Sequence, residues 1–239
     1  MFLQDLKRVL KANLLPALAL QCLAVFLFWA YYYWPEGRHA LESLAVFKKS
    51  TGLAYAFVAS ALSGAVLPCC FQGLQRGTHR RLGLVAVVAL TVYYGTRGWL
   101  IDGFYVLQTH LWGDKPDAFT VAIKIVCDLG LFSPTLAVPS VVLMYGWVDA
   151  GFNWKRYKTQ FEGRWYRDKV VPTLYMAWLV WLPVLCVLYA LPSSLQFVVV
   201  MIVQCFWALL LVVLTDRGEN EKVQQAKCRQ KAAVVAEPS

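Results

Sequence analysis

The sequence predicts an all-α fold, a multi-pass transmembrane bundle of about six helices with both termini on the same side. Six long apolar stretches run through the 239 residues, 59% of them hydrophobic and 15% charged, with a mean hydropathy of +0.51. Lysine and arginine sort into the connections between those stretches. A soluble domain of this size cannot bury so much apolar surface and keep a polar skin. Backbone amides in hydrocarbon must be satisfied within their own segment, and these stretches are too long and too evenly apolar for barrel strands, so helices remain.

The expected spans are Leu14–Trp34, Gly52–Gln72, Leu82–Gln108, Ala118–Trp147, Val170–Leu191 and Leu195–Thr215. About 20 residues cross the hydrocarbon core, and four of the six fit that length directly. In the first, Tyr31, Tyr32, Tyr33 and Trp34 make an interfacial belt and Pro35 is read as a stop. In the second, Gly52, Ala56, Ser60 and Gly64 recur every four residues, a smooth stripe for close helix packing. The third is interrupted by Arg97 and Asp102 and is expected to be tilted or broken. The fourth carries Lys124, Asp128, Pro134 and Pro139, which predicts a long kinked helix. Trp178, Trp181, Pro183, Tyr189 and Trp207 give bulk to the last two spans, and Gln196 and Gln204 add amides that need partners. Residues 153–169 place Trp154, Tyr157, Phe161 and Trp165 at helical spacing among basic residues. They read as an interfacial amphipathic segment or a solvated connector. Residues 1–217 thus form a single bundle, and the polar stretch 218–239 is expected to be disordered.

Charge fixes the parity. Seventeen cationic residues fall on one side of a six-span arrangement: three in the first eleven residues, Arg76, Arg80, Arg81, six in 153–169 and five from Arg217 onward. Arg38, Lys48, Lys49 and Lys115 fall on the other. That asymmetry follows the positive-inside rule. The net charge of +9 is therefore read as topology and attraction to anionic lipid headgroups rather than affinity for nucleic acid. The amino terminus lacks the features of a secretory signal and of a mitochondrial presequence.

Catalytic and metal chemistry find little footing. The seven cysteines and three histidines do not cluster with metal-ligand spacing, and no phosphate loop, nucleophile elbow or zinc-binding helix motif is present. Neither enzyme activity nor a cofactor is expected. Most cysteines read as small apolar fillers, with Cys69–Cys70 the pair suited to redox chemistry or palmitoylation. The unusual groups are those in hydrocarbon, where an ionisable side chain costs about 2.5–3.5 kcal/mol or more. Lys124 and Asp128 share a helix face four residues apart and can pair, whereas Arg97 and Asp102 are spaced to pair across helices. These four are the candidate pore-lining or gating residues; the alternative is that they are structural ion pairs, a reading that suits Arg97 and Asp102 best.

Residues 124–215 resemble a known family. Lys124 through Asp128 with Pro134 beyond, then Trp178, Trp181 and Pro183, Tyr189 and Pro192, and finally Trp207 resemble the ordered motif of the peroxisomal 22-kilodalton membrane protein and Mpv-seventeen family. Leu129 stands where the family often has Gln, and the family's early motif has no counterpart after Gly64. The resemblance implies an integral protein of the mitochondrial inner or peroxisomal membrane. It also implies a weakly selective channel for small solutes. Together these readings give a small-solute conduit with Lys124 and Asp128 on the path, where Arg164, Arg167 and Lys169 would steer anions. The alternative is a non-transporting scaffold acting through the tail and the 153–169 loop. Expected partners are membrane lipids, small solutes and a second copy of the chain.

Overall fold

Helix α1 (Phe2–Tyr33) ends at Trp34, whose extended backbone (φ −121°) breaks the ladder, and α2 (Pro35–Thr51) leaves at 102° to it. The computed structural model describes residues 2–74, 82–210 and 212. Pro35 therefore opens a helix instead of closing one. Proline suits a first helical position, where its missing N–H has no intrahelical role. Arg38 steadies the corner, donating from Nε to the Tyr31 carbonyl at 2.8 Å and from Nη2 to that of Tyr32 at 3.3 Å. These are carbonyls the last turn of α1 leaves free.

Gly52, at φ 56°, turns the chain into α3 (Leu53–Gly73). It is a corner residue and not part of the packing stripe. The rest of that stripe does pack, against α4 (Leu84–Trp112). A Cβ on Gly98 would lie 2.2 Å from the Ala56 carbonyl oxygen and 2.6 Å from Ser60 Cβ, and one on Gly64 would strike the Tyr94 ring. The two backbones approach this closely because neither side carries bulk there. α4 runs unbroken through Arg97 and Asp102, correcting the expectation of a break. Both charges find partners on neighbouring elements, so the helix has no need to open.

α5 (Ala118–Asp149) starts at a capped turn. Asp117 accepts from the backbone N–H groups of Phe119 (3.1 Å) and Thr120 (3.0 Å) and from the Thr120 hydroxyl (2.8 Å). From Asp128 to Ala137 the helix widens into a π-helical stretch around Pro134. A proline inside a helix removes an N–H and crowds the preceding turn, and the wider turn accommodates both. Carbonyls within or ending that stretch receive side-chain donors. Trp178 Nε1 reaches Leu129 (3.0 Å), the Tyr166 hydroxyl reaches Pro134 (2.7 Å) and Arg97 Nη1 reaches Ala137 (2.8 Å). The expected kink is thus an expanded segment held open from both sides.

Helix does not run the length of 153–169. Helix α6 (Trp154–Gln160), capped by Asn153, is followed at Tyr166 by α7 (Tyr166–Tyr189). Trp147 meets Trp154 and Tyr157 edge to face, Phe161 meets Trp165 edge to face and Tyr157 at a tilt, with Lys158 over Trp154 and Lys169 over Phe161. α7 packs against α1 and α5. The last described helix, α8 (Ser193–Leu210), is the most enclosed, with Leu195 to Met201 continuously buried. Phe197 meets Tyr55 of α3 at 6.3 Å, and Gln204 Nε2 donates to Ser63 Oγ at 3.4 Å.

Among the described residues five helices (α3, α4, α5, α7 and α8) are long and apolar enough to cross a membrane, six if the bent α1–α2 pair is one span. Among the described residues there is no strand. Leu84, Val106, Phe119 and Val126 stand out from the bundle, more than 60% exposed, as suits a surface solvated by acyl chains. The chain is an all-α, multi-pass integral membrane protein. The stretch 218–239 lies outside the described residues.

Candidate functional site

Where α4, α5, α7 and α8 meet, the core is polar. Tyr189, near the end of α7, donates its hydroxyl proton to Asp128 Oδ2 at 2.8 Å and accepts from Gln108 Nε2 of α4 at 2.7 Å. All three are at least 90% buried. Asp128 also bonds Ser133 on its own helix. Arg97 lies deeper, held through Nη1 by the Ala137 carbonyl, the Tyr93 hydroxyl (3.1 Å) and Ser140 Oγ (3.5 Å). Tyr93 and Ser140 share a 2.9 Å bond, and the Tyr94 and Tyr145 hydroxyls lie 3.4 Å apart beyond them. At the other end Asp114 accepts from the Ser193 N–H at 3.0 Å, capping α8. A seam of polar groups therefore runs along the α4–α5 contact through the depth of the bundle.

The four candidate residues fall differently on this seam. Lys124 is 2% exposed, with its ammonium 6.0 Å from the centre of the Tyr189 ring, and the acid whose charge reaches it is Asp114. Lys124 and Asp128 share a face as expected but form no ion pair, because Tyr189 occupies the carboxylate instead. The Arg97–Asp102 pairing is likewise replaced. Asp102 pairs with Lys48 of α2, and Arg97 and Asp128 line the same inner space. Arg164, Arg167 and Lys169 line neither of the spaces described next.

Two spaces adjoin the seam. A cleft of about 960 Å³ opens between α2, α4 and the start of α8, lined by Glu42, Lys48, Lys49, Asp102, Tyr105 and His110 among others. A second space of about 90 Å³ lies inside the bundle. Its polar lining is Arg97, Tyr105, Asp128, Ser133 and Gln204, and Trp181 closes its apolar side. Tyr105, 6% exposed, lines both. Its ring meets Tyr189 edge to face at 5.8 Å. Arg97, on the wall of the inner space, has a buried Nε without a hydrogen-bond partner. A space of 90 Å³ has room for about three waters, which is what an orphaned guanidinium N–H at its wall requires.

The residues carrying the resemblance have identifiable tasks. Trp178 supports the widened turn of α5, Trp181 walls the inner cavity and Tyr189 links α4 to α5. Pro183 lies inside α7, the Pro192 carbonyl accepts from Leu195 N–H at 2.9 Å in the turn before α8, and Trp207 packs on the core. Tyr105, Gln108, Ser133 and Lys48 escaped sequence reasoning. For Gln108 the signal was present, a neutral amide at the end of an apolar span. For Lys48 there was none, since its partner is 54 residues away. Among the described residues no group of three or more His, Cys, Asp or Glu side chains is placed to hold a metal ion. No family model matches the chain, and no curated protein or solved structure does so either.

Proposed function

We propose that this integral membrane protein is a weakly selective conduit for small solutes, held here in its closed form. One observation carries the reading. An open cleft and a polar cavity in the middle of the bundle share a single aromatic wall, Tyr105. Charged groups in hydrocarbon are costly unless they serve a wet or functional space, and Arg97 and Asp128 face such a space. Tyr105 is the gate: its ring rests on Tyr189 and separates cleft from cavity. The cluster of aromatic and basic side chains around α6 supports contact with anionic headgroups at the membrane surface. Kinship with the peroxisomal 22-kilodalton membrane protein and Mpv-seventeen family, and residence in an organelle membrane, are proposed on the sequence motif alone.

The test is solute efflux from proteoliposomes with neutral probes of graded size, comparing the unmodified protein with Tyr105→Ala and Tyr105→Phe. Tyr105→Ala should raise efflux and admit larger probes, and Tyr105→Phe, which keeps the ring, should behave as the unmodified protein. Equal efflux from Tyr105→Ala and the unmodified protein would refute the gate. Efflux from the unmodified protein no faster than from empty liposomes would refute the conduit and favour a non-transporting scaffold.

A further inference from the structure

The charges along the path are matched in number. The cleft is lined by two cations, Lys48 and Lys49, and two anions, Glu42 and Asp102. The inner cavity holds one of each, Arg97 and Asp128. Lys124 lines neither space; it is buried beside Tyr189, and the charge of Asp114 reaches it. No stage of the route carries a surplus of either sign. Selective ion pathways concentrate one sign of charge, as in acidic rings for cations or basic rings for anions.

An ion of either sign entering the inner cavity meets one wall charge that attracts it and one that repels it, while losing its hydration shell to a space of about 90 Å³. Nothing there repays the desolvation of a bare ion. A neutral hydroxyl or amide compound meets the opposite situation. The orphaned Arg97 N–H is a free donor, and the hydroxyls and amides of Ser133, Tyr105 and Gln204 line the same wall.

Building on the conduit reading, we propose that the route is a charge-balanced filter for small uncharged polar solutes of the polyol and amide class, and that the Arg97–Asp128 pair makes it exclude ions of both signs. Removing either member leaves a lone charge and turns the filter into an ion path of the opposite preference. Asp128→Asn preserves shape and the acceptor for Tyr189 and leaves Arg97 unopposed. Arg97→Gln leaves Asp128 unopposed.

The experiment measures glycerol efflux from proteoliposomes and the reversal potential of the same protein in planar bilayers under a KCl gradient. The unmodified protein should pass glycerol well above empty liposomes with negligible ion current. Asp128→Asn should acquire a chloride preference and Arg97→Gln a potassium preference, each changing the permeability ratio on the order of tenfold. The double variant Arg97→Gln/Asp128→Asn, balanced again, should lose both currents. Arg97 also supports the Ala137 carbonyl, so if its variant fails to fold, Asp128→Asn against the unmodified protein decides alone. Ion conductance in the unmodified protein, or an unchanged reversal potential in Asp128→Asn with glycerol efflux intact, would overturn the filter while leaving the conduit standing. Absence of glycerol efflux from the unmodified protein would overturn both.

Discussion

Replacing Gly98 by alanine tests whether the α3–α4 contact is as close as described. The added methyl carbon would lie 2.2 Å from the Ala56 carbonyl oxygen, against an ordinary contact of 3.4 Å or more, a shortfall of about 1.2 Å. The obstacle is backbone, so no side-chain rotation relieves it and the two helices must separate. Overpacking of this kind costs about 1–3 kcal/mol, against which alanine recovers up to about 1 kcal/mol of helix propensity. The matched control is Gly103→Ala on the same helix, where nothing lies within 4 Å of the new carbon and only the propensity gain acts. Purified variants in detergent, unfolded by SDS titration and followed by tryptophan fluorescence, should place Gly98→Ala below the unmodified protein and Gly103→Ala level with it or above. If Gly98→Ala is as stable as Gly103→Ala, the close approach is wrong, and with it the packing that positions Arg97 one residue away.

Three further outcomes are expected. Tyr189→Phe strands the Asp128 carboxylate and the Gln108 amide together, so the same titration should register a loss of about 1–3 kcal/mol, while Tyr175→Phe, at an exposed position, should register none. Lys48→Asp or Asp102→Lys alone should destabilise the α2–α4 corner by about 1–3 kcal/mol, and the double swap should recover most of it; a swap no better than the single variants would show that the pair does not couple. Hydrogen bonds from the Thr120 backbone and hydroxyl hold the Asp117 carboxyl below its ordinary 3.8. Its contribution to the start of α5 is thus full above that value and is lost as pH falls through the lower folded value. Asp117→Asn, which can still cap, should flatten the acid end of a stability-against-pH curve, and an unchanged curve would remove Asp117 from the cause.

The membrane class was legible because it depends on hydropathy and charge sorting summed over long windows, which neighbouring helices barely alter. Widening of α5 was half legible: Pro134 announces a disturbed helix, but the donors that stabilise it come from Arg97, Tyr166 and Trp178 on other elements. α2 was missed because Pro35 after an aromatic belt signals a helix end and a helix start equally well. Spacing identified Lys124 and Asp128 as sharing a face, yet spacing cannot report that Tyr189, 61 residues onward from Asp128, takes the carboxylate. Pairings between helices are set by tertiary packing. The same limit hid Tyr105, which in sequence is one aromatic among many and acquires its place only from the two spaces it divides.

The most direct test of the central claim is the permeability of reconstituted, unmodified protein to glycerol, followed by stopped-flow light scattering against protein-free liposomes of the same lipid and against sucrose as a larger probe. A glycerol rate that rises with protein density while sucrose stays excluded is the expected result. Identical traces with and without protein would contradict it.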